Sequence, residues 1–164
     1  MIVVTGNAPR AGTSAMMRAL IEHYEPHSYA EQFPDYVAPE KNPEGYWDVA
    51  GEHRNGDKRI PYEKDSVIKL WAHQFHRVQE KDVDLVVLMW RNNFLEQIQS
   101  IYVTAAAQGL PPLTPAHISQ MYINQKECLA AFFGNTETLI VPMEEFREEP
   151  EYFVGLIKEV TKCQ

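Results

Sequence analysis

The sequence predicts an α/β fold in three layers, with helices on both sides of a central, mainly parallel β-sheet. Two observations predict it. Short apolar runs alternate with longer amphipathic segments along the chain, and the runs lack the polar alternation of a strand with one wet face. A strand that is apolar at nearly every position suits a parallel sheet covered on both faces. The length of 164 residues favours a single domain, 1–164.

Four apolar runs, rich in β-branched residues, are predicted strands. The longest, VDLVVLMW, is apolar at nearly every position. The predicted strands are 2–4, 67–70, 83–90 and 139–141.

Four segments with helical spacing of apolar residues lie between or after these strands. One follows a glycine, and another opens with a Thr-Pro pair that suits an N-cap and the first helical position. The predicted helices are 13–23, 93–107, 115–133 and 150–162. The stretch 29–65 has four prolines, three glycines and no clean periodicity, so it is either a lid or substrate-binding loop or a merely solvated connection.

Charge and composition exclude several classes of protein. Fifteen Lys and Arg against 23 Asp and Glu give a net charge of −8, which argues against a general nucleic-acid surface but allows a small basic pocket. No run approaches the ~20 apolar residues of a membrane span, and the start of the chain lacks the pattern of a signal peptide. Cys128 and Cys163 show no metal-site spacing, so we expect free thiols, no metal site and a cytoplasmic location.

The strongest motif follows the first strand and runs from Gly6 to Ser14, GNAPRAGTS. A tight loop between a strand and a helix directs backbone N–H groups and a helix N-terminus at one point, where an anion can bind. The loop has the length of a Walker A motif, but Gly12 stands where that motif has its phosphate-binding lysine. The cation of the loop is Arg10, which argues against ATP or GTP hydrolysis and for another phosphorylated ligand.

The segment PRAGTS resembles the 5′-phosphosulfate loop of the sulfotransferases, a P-loop-type fold family whose members transfer a sulfuryl group from 3′-phosphoadenosine 5′-phosphosulfate (PAPS). The resemblance implies that PAPS is the donor and that it binds the residues of this segment. They are Pro9, Arg10, Ala11, Gly12, Thr13 and Ser14.

A second segment, LVVLMWRNN and the helix after it, is similar to the family's 3′-phosphate segment, which implies that Arg91 and Ser100 bind the 3′-phosphate. The serine comes one residue later than in the family, a helical rotation of about 100°. Either a local bulge corrects the shift, or Ser100 is not a ligand. Two further segments also resemble the family: NPEGYWD at 42–48, and TLIVPMEEFREEP at 138–150, a late strand with the motif that precedes the closing helix.

Sulfuryl transfer, by analogy with phosphoryl transfer, needs cations, N–H donors and a base for the acceptor proton. The resemblance implies that Lys69 supplies a cation; the alternative is an edge-strand lysine that reaches water. The candidate bases are His73 and three carboxylates. His73 is narrowly preferred to Asp48, because the ordinary pKa of histidine suits proton transfer. The other two carboxylates are Glu44 and Glu52.

The sequence therefore predicts a PAPS-dependent sulfotransferase acting on a hydroxyl or amine of an unidentified small-molecule or other acceptor. Two alternatives stay open. One is a small P-loop kinase, which the missing lysine opposes. The other is a non-catalytic nucleotide-binding or protein-binding module, which the displaced Ser100 and the shifted position of His73 keep open.

Overall fold

The computed structural model of this chain describes residues 1–24, 27–28, 66–132 and 136–162. The strands are β1 (Ile2–Gly6), β2 (His27–Ser28), β3 (Ser66–Lys69), β4 (Leu85–Trp90) and β5 (Thr138–Pro142). The α-helices are α1 (Thr13–Tyr24), α2 (Phe94–Ala107), α3 (Pro115–Phe132), α4 (Met143–Glu148) and α5 (Pro150–Lys162). Two short 3-10 helices, Ala72–Arg77 and Glu80–Asp82, lie between β3 and β4.

The five strands form one sheet in the order β2-β3-β1-β4-β5, and all the pairs are parallel. β1 lies in the middle, with Val3 opposite Ile68 of β3 on one side and Val86 of β4 on the other. Every residue of β1 and β3 is buried, as are the first five of β4. The apolar runs of β1, β3 and most of β4 are therefore covered on both faces of the sheet, whereas Ile140 in the edge strand β5 is exposed.

The main core lies on one face of the sheet, under α1 and α5. Alternate residues of the strands point to this face, among them Val4 and Val87, and they pack with Met16 and Leu20 of α1 and Ile157 of α5. Each of these side chains is essentially fully buried. At about 1.5–3 kcal/mol for each large apolar side chain removed from water, this cluster contributes strongly to stability.

The order of the strands fixes where a ligand site can form. The strands β2 and β3 lie on one side of β1, and the later strands β4 and β5 lie on the other side. The loops after β1 and β4 therefore diverge at adjacent carboxyl ends, which is the switch point where open parallel sheets bind ligands. Residues 7–12 and 91–93 both lie at this edge.

The predicted α/β fold with a parallel sheet flanked by helices is confirmed. The four predicted strands and four predicted helices are present, with ends shifted by at most two residues. Three features were missed: the two-residue β2, the 3-10 helices and α4. The predicted start of the third strand at 83 was wrong, because Val83 instead closes the second 3-10 helix by donating to the oxygen of Glu80 at 3.0 Å. The stretch 29–65 lies outside the described residues.

None of the helices in the described ranges is both long enough and apolar enough to cross a membrane.

Candidate functional site

The loop between β1 and α1 is compact because neighbouring groups leave no room for larger side chains. The N–H of Asn7 donates to the oxygen of Met89 at 3.0 Å, which ties the start of the loop to the end of β4. A Cβ atom on Gly6 would lie 2.8 Å from the Cβ of Ala11, and one on Gly12 would lie 2.1 Å from the Sδ of Met143. Both glycines of the motif are therefore needed for close approach.

The backbone of this loop alternates in the sign of φ. Arg10 has φ 66°, Gly12 has φ 98°, and Ala11 between them has a negative φ. Arg10 is the one non-glycine residue with positive φ in the described part of the chain, and this conformation is costly for a residue with a Cβ. Alternation of this kind makes successive N–H groups converge on one point, as in an anion-binding nest.

Lys69 brings a cation to this loop from the neighbouring strand. Its side chain is buried, and its Nζ donates to the Oγ of Ser14 in the first turn of α1 at 3.1 Å. The ammonium group thus lies at the N-terminus of α1 and does not reach out to bulk water. Lys69 of β3 thus places a positive charge beside this loop, in which Gly12 stands at the position of the Walker A lysine.

The two arginines singled out in the sequence lie side by side. Nη1 of Arg91, which follows β4, donates to the backbone oxygen of Arg10 at 3.2 Å. Nε of Arg10 donates to the Oγ of Ser100 on α2 at 3.0 Å. Ser100 therefore reaches the loop even though it comes one residue later than in the family pattern, and its partner is the arginine side chain.

Arg91 is paired with a carboxylate of α2. Its Nη2 forms an ion pair with Glu96 at 2.8 Å, and Arg147 lies 3.8 Å from the other oxygen of the same carboxylate. Arg91 is buried, and its Nε has no hydrogen-bond partner among the described residues. A buried guanidinium N–H without a partner is rare, because the lost hydration is not replaced.

Glu144 of α4 binds the turn that precedes α2, whose N-cap is Asn93. Its carboxylate accepts hydrogen bonds from the N–H groups of Asn92 and Asn93 at 3.2 and 3.0 Å. Burial by itself raises the pKa of Glu144, but hydrogen bonds from the N–H groups of Asn93, Glu144 itself and Asn92, together with the charge of Arg91, outweigh it and lower the pKa. The N–H groups of Asn92 and Asn93 are therefore already used by a side chain of the protein.

Gln97 is a residue of the site that sequence reasoning missed. It is completely buried on α2, its Nε2 donates to the oxygen of Pro9 at 2.9 Å, and its Oε1 accepts from the hydroxyl of Tyr122 at 2.7 Å. A signal was present in the sequence. Gln97, Ile101 and Ala105 recur every four residues on one helix face, so a polar residue occupies a buried stripe.

The predicted general bases are less well defined by the structure. His73 lies on the 3-10 helix after β3 with its ring largely exposed, and no hydrogen bond joins it to the loop among the described residues. Partial burial and the neighbouring charges of His76 and Arg77 lower its pKa. Asp48, Glu44 and Glu52, and with them the segment NPEGYWD, lie outside the described residues.

Comparisons of this chain with protein-family models, with curated proteins and with solved structures gave no match.

Proposed function

We propose that this protein is a sulfotransferase that binds PAPS at the carboxyl edge of its sheet and transfers the sulfuryl group to a hydroxyl or amine. One observation carries the proposal. Lys69 of β3 contacts the first turn of α1, Arg91 after β4 contacts the loop after β1, and that loop has a cation of its own in Arg10. In a chain with a net charge of −8, such a convergence favours an anionic ligand.

The 5′-phosphosulfate would bind at the loop itself. Pro9, Ala11 and Gly12 shape the backbone there, while Thr13 and Ser14 add hydroxyl groups at the N-terminus of α1. Lys69 Nζ would then lie beside the charge that grows on the oxygen of the leaving nucleotide. Prearranged donors and cations of this kind supply most of the catalysis in transfers where charge spreads over a moving group.

The 3′-phosphate would bind at Arg91 and Ser100. The buried Nε of Arg91 has no partner within the described residues, and a phosphate oxygen would complete its hydrogen bonding if the side chain of Arg91 moved to expose it. The guanidinium fork suits a phosphate, but Glu96 holds Nη2. Binding therefore requires that the carboxylate of Glu96 yield this nitrogen to the ligand. The acceptor would lose its proton to His73 or to one of the carboxylates of Asp48, Glu44 and Glu52.

A nucleotide-binding protein without transferase activity is the second candidate. The ion pair of Arg91 with Glu96 and the lack of a hydrogen bond from His73 to the loop favour it. The two candidates share the ligand and differ in turnover.

Calorimetric titration with 3′,5′-adenosine diphosphate, PAPS, ATP and GTP tests the proposal. We expect the first two to bind and ATP to bind at least about tenfold more weakly, a difference of about 1.4 kcal/mol. Arg10→Ala and Arg91→Ala should each remove most of this preference. Lys81→Ala is the matched control, because Lys81 is an exposed cation in the second 3-10 helix, which precedes β4 at the amino edge of the sheet.

Equal affinity for ATP, or unchanged preference in both arginine variants, would overturn the proposal, and turnover of ATP with Mg²⁺ would indicate a kinase. Radiolabelled PAPS with a panel of hydroxyl and amine acceptors then separates the two candidates. Transfer of label supports the sulfotransferase, whereas binding without transfer to any acceptor supports the binding module.

A further inference from the structure

Gln97 joins three parts of the structure through one buried amide group. Its Nε2 donates to the oxygen of Pro9 at 2.9 Å and lies 3.5 Å from two other acceptors of the loop, the oxygen of Ala8 and the Oδ1 of Asn7. Its Oε1 accepts from Tyr122 on α3 at 2.7 Å. Both ends of the amide are used, so the side chain has a fixed orientation.

A hydrogen bond to a backbone oxygen also orients the N–H group of the same peptide unit. In a planar trans peptide the C=O and the N–H point in opposite directions. The bond from Gln97 to the oxygen of Pro9 therefore turns the N–H of Arg10 away from α2. The bond from Arg91 to the oxygen of Arg10, at 3.2 Å, orients the N–H of Ala11 in the same manner.

These two peptide units are the ones that define the nest. Arg10 has φ 66° and Gly12 has φ 98°, and the successive N–H groups converge only while this alternation is kept. A flip of the Pro9–Arg10 peptide would move Arg10 from positive to negative φ. Negative φ is the conformation that a non-glycine residue prefers. Something must oppose the flip, and the hydrogen bond from Gln97 acts at the oxygen that would move.

We propose that Gln97 is a positioning residue, which holds the Pro9–Arg10 peptide in the orientation that binds an anion, and that Tyr122 in turn holds Gln97. This inference rests on the proposed function for the identity of the anion. The orientation of the loop itself is independent of that identity. Phe94 contacts the ring of Tyr122 with centroids 5.0 Å apart, so Tyr122 keeps its packing when it loses its hydroxyl.

The test compares three variants. Gln97→Met keeps the length of the side chain and removes both hydrogen-bonding ends, and Tyr122→Phe removes the hydroxyl alone. Gln99→Met, on an exposed position of the same helix, is the control. The dissociation constant of 3′,5′-adenosine diphosphate is measured well below the unfolding temperature, and the backbone amide signals of Arg10 and Ala11 are recorded by ¹⁵N NMR without ligand.

We expect the dissociation constant to rise about tenfold in Gln97→Met and about two- to threefold in Tyr122→Phe, as befits loss of a direct and of an indirect hydrogen bond. The amide signals of Arg10 and Ala11 should shift in both variants and not in Gln99→Met. A lower unfolding temperature with unchanged affinity and unchanged amide signals would overturn the inference, since a merely structural role gives that result. If Gln97→Met does not fold, Tyr122→Phe decides by the same two measurements.

The NMR measurement keeps this inference separate from the proposed function. If the wild-type protein binds none of the nucleotides but the amide signals shift as expected, the proposed function fails and the positioning role stands. If the nucleotides bind and the signals do not shift, the positioning role fails alone.

Discussion

The guanidinium of Arg91 and the backbone oxygen of Arg10 are joined by a hydrogen bond of 3.2 Å, across 81 residues of sequence. Arg91 uses its two terminal nitrogens for two different partners, the loop and Glu96. A lysine has a single point of charge and cannot reproduce this fork.

Arg91→Lys should therefore weaken the binding of 3′,5′-adenosine diphosphate by about tenfold, because hydrogen bonds to charged groups contribute about 1.5–3 kcal/mol. Calorimetry of the purified variant measures this. Arg147→Lys is the control, since Arg147 is half exposed and lies 3.8 Å from Glu96. An equal loss of nucleotide affinity in both variants would show that any change of arginine to lysine at this edge weakens binding, and that the hydrogen bond to the loop has no special role.

Glu96 competes with any anion for Arg91. Glu96→Gln should tighten nucleotide binding, because the ligand no longer displaces a carboxylate from Nη2. The side chain of Glu96 is 44% exposed, so solvent screening limits the gain to that of a surface pair, about 0.2–1 kcal/mol or a factor of about 1.4 to 5. Glu159→Gln removes the same charge from an exposed position of α5 and should leave affinity unchanged. Weaker binding in Glu96→Gln would contradict the competition.

Glu144 should make stability depend on pH in the acid range. Its pKa is lowered in the folded protein, so the stabilisation is fully present above the pKa of the unfolded chain and is lost as the pH falls through the folded value. Glu144→Gln should cost about 0.2–1 kcal/mol at neutral pH, because solvent screens this largely exposed carboxylate, and the cost should shrink as the pH falls below the ordinary pKa of glutamate, about 4.3. Urea unfolding at several pH values measures the difference. A cost that is independent of pH would show that the charge of Glu144 has no role.

Two glycine substitutions should act in opposite directions. Gly12→Ala places a Cβ at φ 98° and against the sulfur of the buried Met143, so it should destabilise by about 1–3 kcal/mol. Gly155→Ala lies within α5, where a Cβ meets no atom within 4 Å, and should stabilise by about 0.5–1 kcal/mol. Chemical denaturation of both variants gives the comparison. A loss of stability in both would mean that α5 is packed more tightly than its geometry indicates.

If His73 is the general base, the rate of sulfuryl transfer should rise with pH through a value below the ordinary 6.5 of histidine, because burial and the charges of His76 and Arg77 lower its pKa. His76→Gln removes one of these charges and should move the inflection upward. His73→Gln should lower the rate by about 10²–10⁴ without changing nucleotide affinity. An unchanged rate in His73→Gln would assign the proton transfer to a carboxylate, with Asp48 the first to test.

The sequence predicted the elements well because apolar runs and helical periodicity are local signals. It predicted the loop and its arginine for the same reason, since a strand, a glycine-rich turn and a helix follow one another in GNAPRAGTS. The order of the strands is a long-range property. It is this order that brings Lys69 to Ser14 and Arg91 to Arg10, and no local pattern encodes it.

The missed residues are those whose role depends on a partner far along the chain. In the sequence, Glu144 is one of several acidic residues after a strand. In the structure, α4 brings it to the N–H groups of Asn92 and Asn93, just before α2. Gln97 is one glutamine in a helix until its burial against Pro9 is seen. The structure adds Glu96, which pairs with Arg91, and Gln97, which binds the backbone of the loop.

The loops after β1 and β4 lie at neighbouring carboxyl ends of the sheet, and this position has a consequence for stability. A molecule seated between them would touch the half of the chain that ends with β3 and the half that begins with β4 at the same time. Its binding free energy would then add to the stability of the sheet, so that occupancy would favour the state in which the two halves stay together.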